Sequence, residues 1–257
     1  MAYALITGAS SGLGREFACL FAEHGYGLVL VARRKDRLEA LAEDLLASYG
    51  VVAHTVAADL ATPEGLVALT DYTKREGIVV DVLVNNAGFG DCADFAKADV
   101  GKLDRMIELN IRALTDLTYY YLGDMLDWHR GKILNVASVA AFEAGPGMAT
   151  YFASKAYVLS LTEALAEELR GTGVTATALC PGTTKTEFWD VAEAGPLSVA
   201  RQAVIADPAD VAAYGYASLM AGKVVAVPGV TNKIMVTATR FLPRPVLRRV
   251  VRKLFAK

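Results

Sequence analysis

Tyr3-Ala-Leu-Ile-Thr7-Gly8-Ala-Ser10-Ser11-Gly12-Leu13-Gly14 decides the fold. A short apolar run leads straight into glycines spaced Gly-x-x-x-Gly-x-Gly, and Phe17, Leu20 and Phe21 then recur at helical spacing up to His24-Gly25. Strand, glycine turn and helix in this order give a glycine motif its meaning. Glycines let the backbone turn tightly and come close to a pyrophosphate, and the helix N-terminus offers unpaired N–H groups to phosphate oxygens. Taken alone, the same spacing also suits a plain structural turn.

Working outward, Gly27 to Ala32 reads as a second buried strand ending on Arg33-Arg34. In a dinucleotide site an acid at this strand end would bind the ribose 2′-hydroxyl, whereas arginine pairs with a 2′-phosphate, so the two guanidiniums favour NADP. Further strands are expected at Val51 to Ala57, closing on Asp59-Leu60, and at Ile78 to Val84, closing on Asn85-Asn86-Ala87-Gly88-Phe89-Gly90. Two more follow at Val174 to Leu179, before Cys180-Pro181-Gly182, and at Val224 to Val227. Between them lie amphipathic helices, including one long stretch from Val100 to Trp128. Asn110 sits on that stretch among apolar neighbours, where it is either a structural hydrogen-bonder or a member of a polar network. The alternation implies a single doubly wound α/β domain with a parallel sheet of about seven strands.

Ile133 to Lys155 carries the chemistry. An apolar run ends on Ser138, crosses a Gly/Pro loop, and enters a helix with Tyr151 and Lys155 one turn apart on one face. A tyrosine ionises near pH ~10 in water, so it exchanges protons at neutral pH only where positive charge favours the phenolate. Lys155 is placed to supply that charge. The bland alternative is an amphipathic helix with a Tyr at its edge and a Lys in solvent.

Composition narrows the classes. The net charge is −2 with both signs intermixed, which gives no reason to expect nucleic acid. No apolar run reaches the ~18 residues of a membrane span, and no leader fits before the first strand, so the expectation is a cytoplasmic protein. Cys19, Cys92 and Cys180 form no CxxC pair, and His24, His54 and His129 are scattered, so no metal site is expected.

Together these residues resemble the short-chain dehydrogenase/reductase family from Tyr3 to about Val227. The resemblance rests on Thr7-Gly8-x-x-x-Gly12-x-Gly14, Asn86-Ala87-Gly88, Asn110, Ser138, Tyr151-x-x-x-Lys155 and Pro181-Gly182-x-x-x-Thr186, in that order. It implies that Tyr151 is the general acid/base and that Ser138 hydrogen-bonds the reacting oxygen. Lys155 would lower the Tyr pKa and bind the nicotinamide ribose, and Asn110 would hold a water that relays protons to it. Gly8, Ser10, Ser11, Gly12, Leu13 and Gly14 would cover the pyrophosphate. Arg33 and Arg34 would meet a 2′-phosphate, Asp59 and Leu60 would flank adenine, and Asn86, Ala87 and Gly88 would lie beside the ribose. Pro181, Gly182, Thr184 and Thr186 would hold the carboxamide end. The implied activity is hydride transfer between NADP(H) and a carbonyl or secondary alcohol, and a homodimer or homotetramer is the expected assembly; an apolar steroid-like or acyl-chain substrate is the reading of Phe188 and Trp189, which could equally be core aromatics. An NADP(H)-binding regulator without turnover is the alternative.

The expected organisation is a catalytic domain over 1–230, with a lid at about 187–206 in which Phe188 and Trp189 could face a substrate. A basic amphipathic extension follows over 231–257. From Val246 onward, Val246, Leu247, Val250, Val251, Leu254 and Phe255 interleave with Arg248, Arg249, Arg252 and Lys253. Such a helix could dock on its own domain, cover a subunit interface, pack across the substrate mouth, or make peripheral contact with an anionic membrane.

Overall fold

The computed structural model describes residues 1–192 and 205–255. Among these, seven parallel strands form one sheet: β1 Tyr3–Thr7, β2 Gly27–Ala32, β3 Ala53–Ala57, β4 Val80–Asn85, β5 Gly131–Val136, β6 Val174–Leu179 and β7 Val225–Ala226. Their order is β3-β2-β1-β4-β5-β6-β7. The winding reverses between β1 and β4, which opens a crevice above the carboxyl ends of those strands.

The helices are α1 Gly12–Glu23, α2 Lys35–Tyr49, α3 Pro63–Arg75, α4 Val100–Ile107, α5 Leu114–Asp127, α6 Ala149–Glu168, α7 Phe188–Val191, α8 Pro208–Met220, α9 Val230–Thr239 and α10 Arg244–Phe255. On one face of the sheet Phe17, Phe21, Leu38, Leu45 and Leu219 pack against Ile6, Leu28 and Leu30. On the other, Leu69, Leu117, Tyr121 and Met125 pack against Leu5, Val29 and Leu83. Covered on both sides, β2 is buried along its whole length, which is why it reads as an unbroken apolar run. Local chemistry starts the helices: Thr62 accepts from the Gly65 N–H ahead of α3, with Pro63 in the first turn, and Asp207 does the same for α8 through the Ala209 N–H.

The expected helix over 100–128 is helical over Val100–Asp127, but it passes through a π-helical segment at Glu108–Ala113. The segment widens the helix around Asn110, a feature that apolar periodicity does not reveal. At the carboxyl ends of β4 and β5, Asn85 and Asn135 are register partners. Asn85 Nδ2 donates to Asn135 Oδ1 and to Thr118 Oγ1, both at 2.9 Å, and Asn135 Nδ2 donates to Thr162 Oγ1 at 2.9 Å. This polar ladder fixes α5 and α6, the helices that flank the crevice, to the sheet. The division expected between residues 230 and 231 falls at the first residue of α9, and Val236 of that helix is buried in the core. Most of the expected 187–206 lid, residues 193–204, lies outside the described residues.

Candidate active site

The loops at the carboxyl ends of β1 and β4 are stitched together. Thr7 Oγ1 accepts from the N–H groups of Asn86 and Ala87, each at 2.9 Å, and Asn86 Nδ2 donates to the Thr7 carbonyl at 2.8 Å. Gly8 has φ +68°, and a Cβ on Gly14 would lie 2.3 Å from the Gly8 carbonyl oxygen. Only glycine permits a turn this tight above the first turn of α1. The side chain of Ser11 makes no capping bond to α1, so it leaves the helix N–H groups uncovered. Bare N–H groups behind a close-packed glycine loop fit a dinucleotide pyrophosphate.

Across the crevice, Asn110 bridges two elements. Its Oδ1 accepts from the Phe89 N–H at 3.1 Å, and its Nδ2 donates to the Phe89 carbonyl at 2.9 Å and to Ser154 Oγ at 3.1 Å. Ser154 Oγ in turn donates to the Tyr151 carbonyl at 2.7 Å. Asn110 is thus both structural and part of a network that reaches the α6 turn carrying Tyr151. Asn110→Ala is expected to lower the unfolding free energy by about 2 kcal/mol, because the polar groups of Phe89 lose their partners. An unshifted urea midpoint would contradict this.

Ser138, just beyond β5, holds its hydroxyl with the Ala140 N–H at 3.1 Å and lies in hydrogen-bonding reach of the Tyr151 phenol. Lys155 is buried, and its Nζ donates to the Val136 carbonyl at 2.7 Å, 5.8 Å from the centre of the Tyr151 ring. Burial raises the phenol to about 12 against the Ser138 hydrogen bond, and loss of hydration brings Lys155 down to about 8.

A family model described as short chain dehydrogenase matches residues 2–196. The chain belongs to the short-chain dehydrogenase/reductase family. Sulfoacetaldehyde reductase 2 of Chromohalobacter salexigens is 39% identical over 186 residues, covering 72% of this chain and 73% of that protein. A short-chain dehydrogenase from Sphingobium yanoikuyae, solved in complex with NADPH, superposes with a TM-score of 0.84 at 32% identity over 94% of each chain. The bulky-bulky ketone specific alcohol dehydrogenase of Comamonas testosteroni gives 0.79 at 30% identity, over 94% of this chain and 92% of that one. The chain is therefore an oxidoreductase of alcohol and carbonyl groups, in a family that uses NAD or NADP.

Within this short-chain dehydrogenase/reductase the residues expected at the adenosine side are differently engaged. Arg33 is exposed at the end of β2. Arg34 Nη2 donates to Ser10 Oγ at 3.1 Å and Ser11 Oγ at 3.0 Å, and its Nη1 pairs with Glu187 at 2.9 Å. Arg37 holds the other Glu187 oxygen at 2.8 Å. Glu187 thus ties the segment after β6 to the start of α2, and a cleft of about 560 Å³ lined by Ser10, Gly12, Arg37, Thr186 and Glu187 lies between them. Asp59 accepts from the Ala61 N–H and pairs with Arg105 at 2.8 Å, beside the buried Leu60. Thr184 is tied through Gly182 and a bridge to Ala206, and Thr186 closes over Gly12.

Sequence reasoning missed the apolar wall beside Tyr151. Met148, Phe152 and Ala140 form a cluster with Val251 of α10, against which Tyr151, Phe188 and Cys92 pack. The rings of Phe188 and Tyr151 are 5.2 Å apart, so Phe188, singled out from sequence, does reach the site, with Trp189 edge-on behind it at 5.3 Å. Met148 and Phe152 flank Tyr151 at helical spacing, a signal that could have been read. Val251 lies a hundred residues away in the basic amphipathic helix, for which packing across the substrate mouth is one of several roles that sequence leaves open. The pair of buried Asp91 with half-buried Lys102, 2.7 Å apart, was also missed, because neither residue belongs to a spacing pattern.

Proposed function

We propose that this protein is an NADP(H)-dependent dehydrogenase/reductase of bulky apolar ketones and secondary alcohols, with Tyr151 as the proton donor and acceptor. The observation that supports it best is the gathering of Asn110, Ser138, Tyr151 and Lys155 around one crevice whose substrate side is apolar. Gly8 to Gly14, with Ser10, Ser11 and Leu13, would hold the pyrophosphate, and Asn86, Ala87 and Gly88 the ribose. Arg33 and Arg34 would take the 2′-phosphate, Asp59 and Leu60 would flank the adenine, and the Pro181, Gly182, Thr184 and Thr186 segment would hold the carboxamide. When bound, the coenzyme supplies the hydride and, in its oxidised form, a positive charge beside the phenol. Ser138 positions the substrate oxygen against Tyr151, whose hydroxyl donates the proton in reduction and recovers it in oxidation. Lys155, reached through the Asn110 side of the site, connects that proton to solvent. Phe188, Met148, Phe152 and Val251 exclude water and select for apolar flanks on the carbonyl.

A carbonyl and alcohol screen with NADPH and NADH tests this reading. Turnover of bulky aryl or alicyclic ketones with NADPH is expected, and a protein that reduces only small polar aldehydes would refute the substrate class. The coenzyme preference rests on Arg33 and Arg34 with no acid at the end of β2. Arg34→Ala is expected to reduce kcat/KM for NADPH about 10- to 100-fold, the scale of one lost charge-assisted contact, with NADH little affected. Equal losses with both coenzymes would place Arg34 in the architecture of the loop instead.

A further inference from the structure

The last 27 residues, 231–257, contain eight Lys and Arg and no acid, which leaves a formal −10 on the rest of the chain. Cations of one sign gathered on a terminal segment need a partner of opposite sign or bulk solvent. Only some of the apolar residues between them are consumed by the fold. Along α10, at about 100° per residue, Leu247 and Val251 fall on one side and Val246 and Val250 on the adjoining side. Val251 is buried and Leu247 half-buried, whereas Val246 is 41% and Val250 50% exposed. Just ahead of the helix Phe241 is 82% and Leu242 45% exposed. Arg248, Arg249, Arg252 and Lys253 are all exposed on the remaining arc. The apolar stripe is therefore wider than the contact that docks the helix, and its uncovered half is flanked by cations.

We propose that this C-terminal segment seats the protein on an anionic lipid surface, with Phe241, Leu242, Val246 and Val250 entering the headgroup boundary and the arginines meeting lipid phosphates. The chemistry selects this occupant over others. An isologous contact with a second copy would set two strongly cationic patches against each other. Nucleic acid would satisfy the arginines and leave a fully exposed Phe and its apolar neighbours without a role. Amphipathic helices with basic flanks and uncovered apolar residues bind at the plane of an anionic interface. The inner side of the same helix contributes Val251 to the wall beside Tyr151, so a lipid surface held here adjoins the substrate mouth. Among the described residues no helix is long and apolar enough to cross a membrane, which makes this a surface contact.

Co-sedimentation of the full chain with unilamellar vesicles of phosphatidylcholine, alone or with one-third phosphatidylglycerol, tests the proposal without reference to turnover. Each basic residue near an anionic surface strengthens binding by about fivefold. Partition onto the anionic vesicles is therefore expected to exceed that onto neutral ones by more than about tenfold and to fall steeply with added salt. Arg248→Glu, Arg249→Glu and Arg252→Glu combined should abolish it. Phe241→Ser with Val250→Ser should weaken it several-fold while all the charges remain, and this second variant serves if the first does not fold. Wild-type protein indifferent to phosphatidylglycerol would overturn the proposal, and so would a serine variant that binds unchanged. A charge-reversed variant that changes molecular mass in light scattering instead of vesicle binding would assign the surface to self-association and likewise overturn it.

Discussion

Tyr151→Phe is expected to reduce kcat by about a thousandfold or more while NADPH binds within about threefold of wild type, the scale expected when a positioned acid/base is removed. The ring keeps its packing against Phe188 and Phe152, whose centroids lie 5.2 and 6.1 Å away, so only the phenolic oxygen is lost. Ser138 still stands within hydrogen-bonding reach of the ring's para position, but its hydroxyl is a far weaker acid than the phenol. Coenzyme binding, followed by quenching of intrinsic fluorescence, separates chemistry from folding and affinity. A variant that retains more than about a tenth of the turnover would remove Tyr151 from the mechanism.

Lys155→Met is expected to be as inactive, yet to fold at least as well as wild type at neutral pH. The reason is the buried ammonium. Desolvation brings Lys155 from 10.5 to about 8, so at pH 7 the folded protein carries a charge it would prefer not to have. That shift corresponds to roughly 3 kcal/mol of cost, partly offset by the bond to the Val136 carbonyl. The sign follows from proton binding. Between about pH 8 and 10.5 the unfolded chain holds a proton on this lysine that the folded chain has released, so wild-type stability rises with pH through that window. The methionine variant has no such dependence, and its advantage should shrink as pH rises from 8 towards 10. Thermal melts of both proteins across this range decide the matter. A variant that melts well below wild type at pH 7 would show that Lys155 holds the structure together.

The fold was legible because a sheet covered on both faces writes its strands as apolar runs, and because glycines at the end of β1 cannot be replaced without a clash. The positions of Ser138, Tyr151 and Lys155 were legible for a related reason: two lie one helical turn apart, and the third ends a strand. What sequence could not give was the environment. Spacing put Lys155 near Tyr151 but did not show its ammonium against the Val136 carbonyl or the burial that raises the phenol. The Glu187 clamp on Arg34 and Arg37 joins residues 153 and 150 positions apart. The Val251 contact likewise depends on how the chain end folds back, which periodicity within one helix does not specify.

The π-helical turn at Glu108–Ala113 makes the length of the chain, and not only its side chains, part of the site. The wide turn absorbs one extra residue, about 100° of rotation, so the helix before and after it keeps a common frame. Leu117 and Tyr121 meet the sheet only in that frame, while Asn110 faces Phe89 and Ser154. Deleting a single residue here would heal the helix into regular α geometry and leave Leu117 and Tyr121 in their frame, but it would remove the wide turn that sets Asn110 against Phe89 and Ser154. The loss of one residue would therefore cost the protein its asparagine bridge while the packing of α5 on the sheet survives.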